Sequence, residues 1–314
     1  MDMLVHNDVI VAPLGSGSRG NATFVGTDTS GVLIDCGLST RQIFCRMESI
    51  GLSEARIKAV LITHEHSDHV AGARVLDARL EERQGEKVPF YMSAGAARGV
   101  SQRRRPRQIE HVVSGQVFMV GDVVVEPFSV PHDTVDPMSF LIDVQGVFVG
   151  VLTDLGKSTR LVERQVSRMD MAIVEFNHDV DMLRDGPYPA AVKQRVQGAH
   201  GHLSNAQGAD ILHKAASSRL RHAFLGHLSE GNNQPGLAYE AASEALHAAD
   251  CGHVNVCVAE QHVATKPARH APSVPLGRVR LGVFGAENND SRRSAPLGKA
   301  SCGFATTDIW NPDN

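Results

Sequence analysis

The stretch Ala59-Val60-Leu61-Ile62-Thr63-His64-Glu65-His66-Ser67-Asp68-His69 decides how this chain reads. A buried-type strand runs directly into three histidines and an aspartate, and a helix then opens over 69–83. Alternate residues of an extended segment project to one side, so His64 and His66 point together, while Asp68 and His69 sit at the helix entry. Two imidazoles can hold one cation, and a carboxylate with a third imidazole can hold its neighbour. Imidazole plus carboxylate suits two divalent transition-metal ions, Zn²⁺, Mn²⁺ or Fe, whereas Mg²⁺ and Ca²⁺ prefer all-oxygen shells. With 16 histidines in the chain, any single one is weak evidence for a ligand; this grouping is not.

Outward from that segment, short β-type runs alternate with amphipathic helical ones up to about residue 263, the pattern of a mixed α/β domain. Strands are expected over 9–14, 22–26, 31–35, 59–63, 89–92, 117–120, 123–130, 139–144, 147–153, 171–176, 222–226 and 254–258. Helices are expected over 40–50, 69–83, 95–100, 158–166, 205–217 and 236–247. One domain over 1–263 is followed by 264–314, rich in Pro, Gly, Ser and Arg without periodicity, which reads as a disordered tail. The chain has 314 residues, 42% of them hydrophobic, enough for a sizeable core. A formal net charge of −4 gives no global basic field, so any phosphate recognition must be local. Five cysteines, Cys36, Cys45, Cys251, Cys257 and Cys302, without zinc-type pairing argue against a disulfide framework or zinc ribbon and favour a reducing compartment. The first eight residues carry no basic flank or apolar run, and no stretch approaches the ~20 apolar residues of a membrane span. The expectation is a cytoplasmic protein without a membrane partner.

His-x-His-x-Asp-His after an apolar strand and a threonine resembles the second motif of the metallo-β-lactamase superfamily. Val32-Leu33-Ile34-Asp35-Cys36-Gly37 is similar to its first motif, whose aspartate supports the ligand loop without touching metal. His132 after Val130-Pro131 matches the third motif, Asp154 in Thr153-Asp154-Leu155-Gly156 the bridging carboxylate, and His227 in Leu225-Gly226-His227 the last ligand. The resemblance implies a four-layer αββα sandwich, two mixed sheets face to face with helices outside. It also implies one metal on His64, His66 and His132, a second on Asp68, His69 and His227, and Asp154 bridging. Two such ions can share a hydroxide and clamp an in-line displacement, which suits phosphodiester hydrolysis, with Asp68 part of the catalytic apparatus.

Narrower blocks resemble the WalJ/YycJ family of bacterial proteins: Leu14-Gly15-Ser16-Gly17-Ser18-Arg19-Gly20-Asn21, Glu175-Phe176-Asn177-His178-Asp179-Val180-Asp181-Met182-Leu183, Gly186-Pro187-Tyr188-Pro189, Gly201-His202-Leu203-Ser204-Asn205 and His227-Leu228-Ser229-Glu230-Gly231-Asn232-Asn233. The likeness covers roughly residues 10–260 and implies a 5′-to-3′ double-stranded DNA exonuclease. His202 with Glu175 resembles the histidine–glutamate pair of ribonuclease Z-like enzymes, where the carboxylate would orient the ring and the imidazolium protonate the leaving oxygen. The other reading of that segment is a helix start capped by Ser204. His178 is a candidate for lining the substrate cleft or for coordinating metal. Ser16 and Asn21 belong to a glycine-rich loop that either presents N–H groups to a phosphate or makes a tight connection. The run from Arg98 to Arg107, with Arg103, Arg104 and Arg105 at its centre, is the one concentrated basic patch, a contact for a DNA backbone or a solvated face. The leading expectation is a DNA exonuclease; a small-molecule phosphodiester, thioester or lactone hydrolase and a catalytically idle metal-binding regulatory protein are the alternatives.

Overall fold

The computed structural model describes residues 8–272. In chain order these form β1 (Val9–Gly15), β2 (Ala22–Gly26), β3 (Ser30–Ile34), α1 (Thr40–Ser49), β4 (Arg56–Leu61), α2 (Ser67–Val70), α3 (Ala73–Gln84), β5 (Phe90–Met92), α4 (Ala94–Gly99) and β6 (Ile109–His111). They continue as β7 (Phe118–Val120), β8 (Val123–Ser129), β9 (Met138–Val144), β10 (Val147–Leu152), α5 (Arg160–Val166), β11 (Met171–Glu175), α6 (Val180–Asp185) and α7 (Ala190–Gln197). The last elements are α8 (Asn205–Ala215), β12 (His222–Gly226), α9 (Pro235–Ala248), β13 (Asn255–Val258) and β14 (Ala268–His270). One seven-stranded sheet runs β14-β1-β2-β3-β4-β5-β6 and the other β13-β12-β11-β10-β9-β8-β7.

Strand alternation builds the layers. In β1, Val9 and Val11 enter a cluster with Val25, Val32, Ala59 and Leu61 of their own sheet and Val125, Phe140, Ile142, Val151 and Ile173 of the other. The intervening Ile10, Ala12 and Leu14 pack instead with Ile43 and Met47 of α1 and Leu76 and Leu80 of α3. On the second sheet, Leu141, Leu152, Val174 and Leu225 meet Val162 of α5, Ile211 of α8 and Ala238 and Leu246 of α9. Period-two side chains with both faces apolar therefore require helix, sheet, sheet, helix, and this is the expected four-layer αββα sandwich.

Parallel pairing of β3 with β4, and of β10, β11 and β12, brings the carboxyl ends of those strands to one end of the sandwich. Ligands gather at such ends in α/β sheets. Three of the five non-glycine residues in the left-handed region among the described residues mark the same place: Asp35 (φ 58°), Asp154 (φ 62°) and His227 (φ 57°) each follow a strand closely. Such a conformation costs on the order of 1–3 kcal/mol and persists where surrounding contacts impose it.

The expected strands are all present. The single helix expected over 69–83 is two, α2 and α3, separated at Gly72, where a Cβ would come 2.3 Å from the Leu38 carbonyl oxygen. β6, α6, α7 and β14 had no counterpart in the sequence reading. The boundary at 263 is corrected: Ala268–His270 pairs antiparallel with Val9–Val11, and Thr265 N–H donates to the Pro13 carbonyl, so the chain closes the first sheet after 263. The remainder of the expected tail, 273–314, with Cys302, lies outside the described residues, as do residues 1–7. Among the described residues, no helix is long and apolar enough to cross a membrane.

Candidate metal centre

The end of β4 supplies the first group. His64 is fully buried; Thr63 Oγ1 lies 3.0 Å from its Nδ1, and its Nε2 has no partner among the described residues. Ligand atoms of His64, His66 and His132 lie within 4.8 Å of one another. His132, in the loop after β8, donates from Nδ1 to the Gly201 carbonyl (3.1 Å), leaving Nε2 turned to His66 Nδ1 at 3.3 Å. A histidine that donates one ring N–H to a carbonyl presents the other nitrogen's lone pair, the usual preparation for a metal.

The second group centres on Asp154, which follows β10. Its Oδ2 is 3.0 Å from both His69 Nε2 and His227 Nδ1, and its Oδ1 is 3.7 Å from His132 Nε2. Asp68 Oδ2 reaches His69 Nε2 at 3.5 Å and His227 Nε2 at 4.0 Å. Beneath them Asp35 accepts hydrogen bonds from Thr63 N–H (2.9 Å), Thr63 Oγ1 (2.9 Å) and His69 Nδ1 (2.8 Å). That last bond fixes the His69 tautomer with Nε2 toward Asp154.

Electrostatics fit bound cations. Burial, with His69 close by, holds His64 well below the ordinary imidazole pKa, so it is neutral and able to ligate. Burial also lowers His132. Burial opposes charge on His69, but Asp154, Asp35 and Asp68 outweigh it and hold its pKa well above the usual value. Burial likewise opposes charge on Asp154, yet His227 and His69 keep its carboxyl well below the usual range. An orphaned buried nitrogen, the His64 and His132 rings that burial keeps neutral, and a buried carboxylate form a donor set that divalent ions satisfy.

Beside these groups, Glu175 ends β11 fully buried and accepts from His202 Nδ1 at 2.8 Å and from Leu155 N–H at 2.7 Å. Burial would lower His202, but Glu175 outweighs it and raises the ring to about 9. The ring centroid of His202 is 5.2 Å from that of His132 and 5.1 Å from that of His227. Ser204 caps α8 two residues later, accepting from Gln207 N–H, so the helix start expected at 201–205 is present beside the His202–Glu175 pair.

A domain model described as the beta-lactamase superfamily domain matches residues 31–227. The exodeoxyribonuclease WalJ of Streptococcus pneumoniae is 34% identical over 241 residues, which span 76% of this chain and 88% of that protein. The exodeoxyribonuclease YycJ of Bacillus anthracis is 31% identical over 236 residues, 74% of this chain and 87% of its own. The chain belongs to the WalJ/YycJ family of metallo-β-lactamase-fold proteins. Among solved structures, the metallo-β-lactamase-fold protein YhfI of Bacillus subtilis superposes with TM-score 0.60 at 16% identity, covering 82% of this chain and 99% of that one, a likeness of fold.

This member of the WalJ/YycJ family is a hydrolase whose histidines and carboxylates suit divalent ions. The structure brings together His64, His66, Asp68, His69, His132, Asp154 and His227, with Asp35 behind them and Glu175 and His202 beside them. The glycine-rich loop makes a tight connection: Ser16 N–H donates to the Glu260 carbonyl, Gly17 N–H to Asn21 Oδ1, Arg19 N–H to Gln261 Oε1 and Gly20 N–H to the Gly17 carbonyl. With those amides engaged, the loop presents no ready phosphate cradle. Ser16 and Asn21 are buried: Ser16 Oγ accepts His227 N–H at 2.8 Å, and Asn21 Nδ2 lies 3.0 Å from His69 Nε2. They face the ligands rather than solvent. His178 is buried with Nδ1 unpartnered, and burial lowers its pKa to about 4. Arg103 and Arg104 are exposed after α4, while Arg105 is bonded to the Ala97 carbonyl. α4 reaches the ligand loop, because Gly99 packs against the Glu65 side chain.

Sequence reasoning missed three supports. Thr63 bonds Asp35, Asn177 Nδ2 donates to the His227 carbonyl at 2.9 Å, and Arg195 of α7 donates from Nε to Asp133 Oδ2 at 2.5 Å. Thr63 and Asn177 were detectable as polar residues at the ends of apolar strands. The Arg195–Asp133 pair spans 62 residues and left no local signal.

Proposed function

We propose that this protein is a DNA phosphodiesterase, a 5′-to-3′ exonuclease on double strands, with His64, His66 and His132 holding one Zn²⁺ or Mn²⁺ and Asp68, His69 and His227 a second, Asp154 between them. The observation that carries the metal assignment is the His64 Nε2, buried and without a partner beside His66 and His132. The names of the two relatives support nucleic acid, and DNA within it. Such ions, when bound, supply Lewis acidity and lower the pKa of water from about 15.7 to about 7.

The chain's own groups do the rest. Asp35 and the Gly201 carbonyl orient His69 and His132. Glu175 holds Nδ1 of His202, so Nε2 is left to give a proton to the departing oxygen; the raised pKa keeps the ring protonated near neutrality. Asp68 lies between His69 and His227, where it would join the second ion's ligands beside the substrate. His178 is buried beside the pair, and Arg103 and Arg104 meet the strand farther out. The catalytic unit is the α/β body that β14 closes, and Cys36, Cys45, Cys251 and Cys257, unpaired among the described residues, support a cytoplasmic setting.

The test is a time course of the Mn²⁺- or Zn²⁺-loaded protein on end-labelled linear duplex DNA, beside bis(p-nitrophenyl) phosphate and His66→Ala. Stepwise mononucleotide release from one end, absent in the variant, is expected. Cleavage of the small ester alone would replace DNA with a small phosphodiester as substrate.

A further inference from the structure

Among the described helices, α7 alone buries none of its residues. It nevertheless lies against the metal centre. His202 N–H donates to the Val196 carbonyl at 2.8 Å, and Gly201, whose carbonyl orients His132, packs under the Arg195 carbonyl. From this helix Arg195 reaches Asp133, whose Oδ1 is 3.4 Å from His132 Nε2, and Asp68 is near enough to favour the arginine's charge.

The pair is poorly explained as a strut. The Arg195 side chain is 60% exposed, and an exposed ion pair contributes little to a fold. Only Nε is engaged; among the described residues neither Nη group has a partner. A guanidinium anchored through Nε keeps a planar pair of donors fixed in direction, so less side-chain entropy is lost when an anion arrives. A fixed cation at the rim adds long-range attraction for a polyanionic strand to that of the bound ions.

We propose that Arg195 is a phosphate-binding residue, gripping a phosphate adjacent to the one being cleaved, on the His132 side of the centre, with Asp133 as its brace. This rests on the phosphodiesterase reading above. The basic run at Arg103–Arg105 is a separate contact, on the segment that follows α4.

The experiment uses the full chain loaded with Mn²⁺ and p-nitrophenyl esters of thymidine 5′-phosphate and thymidine 3′-phosphate, each with and without a second phosphate on the other hydroxyl. Wild type is expected to favour an ester bearing the second phosphate, chiefly through KM. Arg195→Ala should erase that preference, lowering the kcat/KM ratio about ten- to a hundredfold, and Arg195→Lys should retain part of it as a point charge. Equal slowing of every ester would make Arg195 a strut acting through Asp133 and His132 and overturn the proposal, as would a wild type indifferent to the second phosphate. Duplex DNA is assayed in parallel. Cutting of DNA with the ester preference intact in Arg195→Ala sinks the arginine's role alone; loss of preference without any cutting of DNA sinks the nuclease reading alone.

Discussion

Asp35 sits in the left-handed region with every carboxylate bond turned inward, to Thr63 and to His69 Nδ1. Asparagine tolerates that backbone, so Asp35→Asn isolates the charge. Its amide can still accept from Thr63 through oxygen, but the NH₂ then faces His69 Nδ1–H, donor to donor. The imidazole must change tautomer and carry its proton on Nε2, where a metal would bind. Metal affinity should fall roughly 10–100-fold with secondary structure retained, read by metal titration and circular dichroism; unchanged affinity would show that Asp35 is only a turn residue. His202→Asn tests the neighbouring role. It should lower kcat on duplex DNA by about 10²–10⁴ while both metals stay bound. Release of a metal ion would instead make His202 a ligand, and an unaltered kcat would remove it from proton transfer.

Elements place these residues through backbone contacts that leave no room for adjustment. A Cβ on Gly37 would sit 1.6 Å from the Asp68 carbonyl oxygen, because the turn after β3 lies directly under the start of α2. Asn21 N–H donates to that same oxygen at 2.7 Å. Gly37→Ala should therefore push Asp68 and His69 out of register, lowering the melting temperature and metal content together; normal metal occupancy in a folded variant would contradict the close approach. The first and second motifs were legible because ligands and strand are contiguous, and the long strands because their alternation serves two cores. α7 was not legible, since a helix that buries nothing has no apolar stripe. β6 is three half-exposed or exposed residues, and β14, Ala-Arg-His, is a strand only because β1 lies beside it. The division of α2 from α3 is set by the Leu38 carbonyl against Gly72, a contact 34 residues away in the chain.

At the scale of the whole molecule, the return of the chain past residue 263 connects sheet closure to the site. Val9, Ile10 and Val11 pair with His270, Arg269 and Ala268, Ala268 is buried between the sheets, and Arg269 pairs with Asp28. Thr265 adds a second link: its N–H donates to the Pro13 carbonyl, and its Oγ1 accepts Glu260 N–H at 2.9 Å. The segment it fixes holds the glycine-rich loop, since Gln261 Nε2 donates to the Gly20 carbonyl and Arg46 Nη1 to the Gln261 carbonyl. That loop ends at Asn21, against Asp68 and His69. A chain ending at 263 loses the β14 pairing and the Thr265 bonds together, whereas one ending at 272 keeps them. If the difference is about 2 kcal/mol, the shorter form should melt about 4–8 °C below the longer. It should also bind metal more weakly, because the loop that steadies Asp68 is no longer tied down. Equal melting with weaker metal binding would place the effect in the loop alone, and equality in both would make β14 an ornament of the sheet edge with no bearing on the centre.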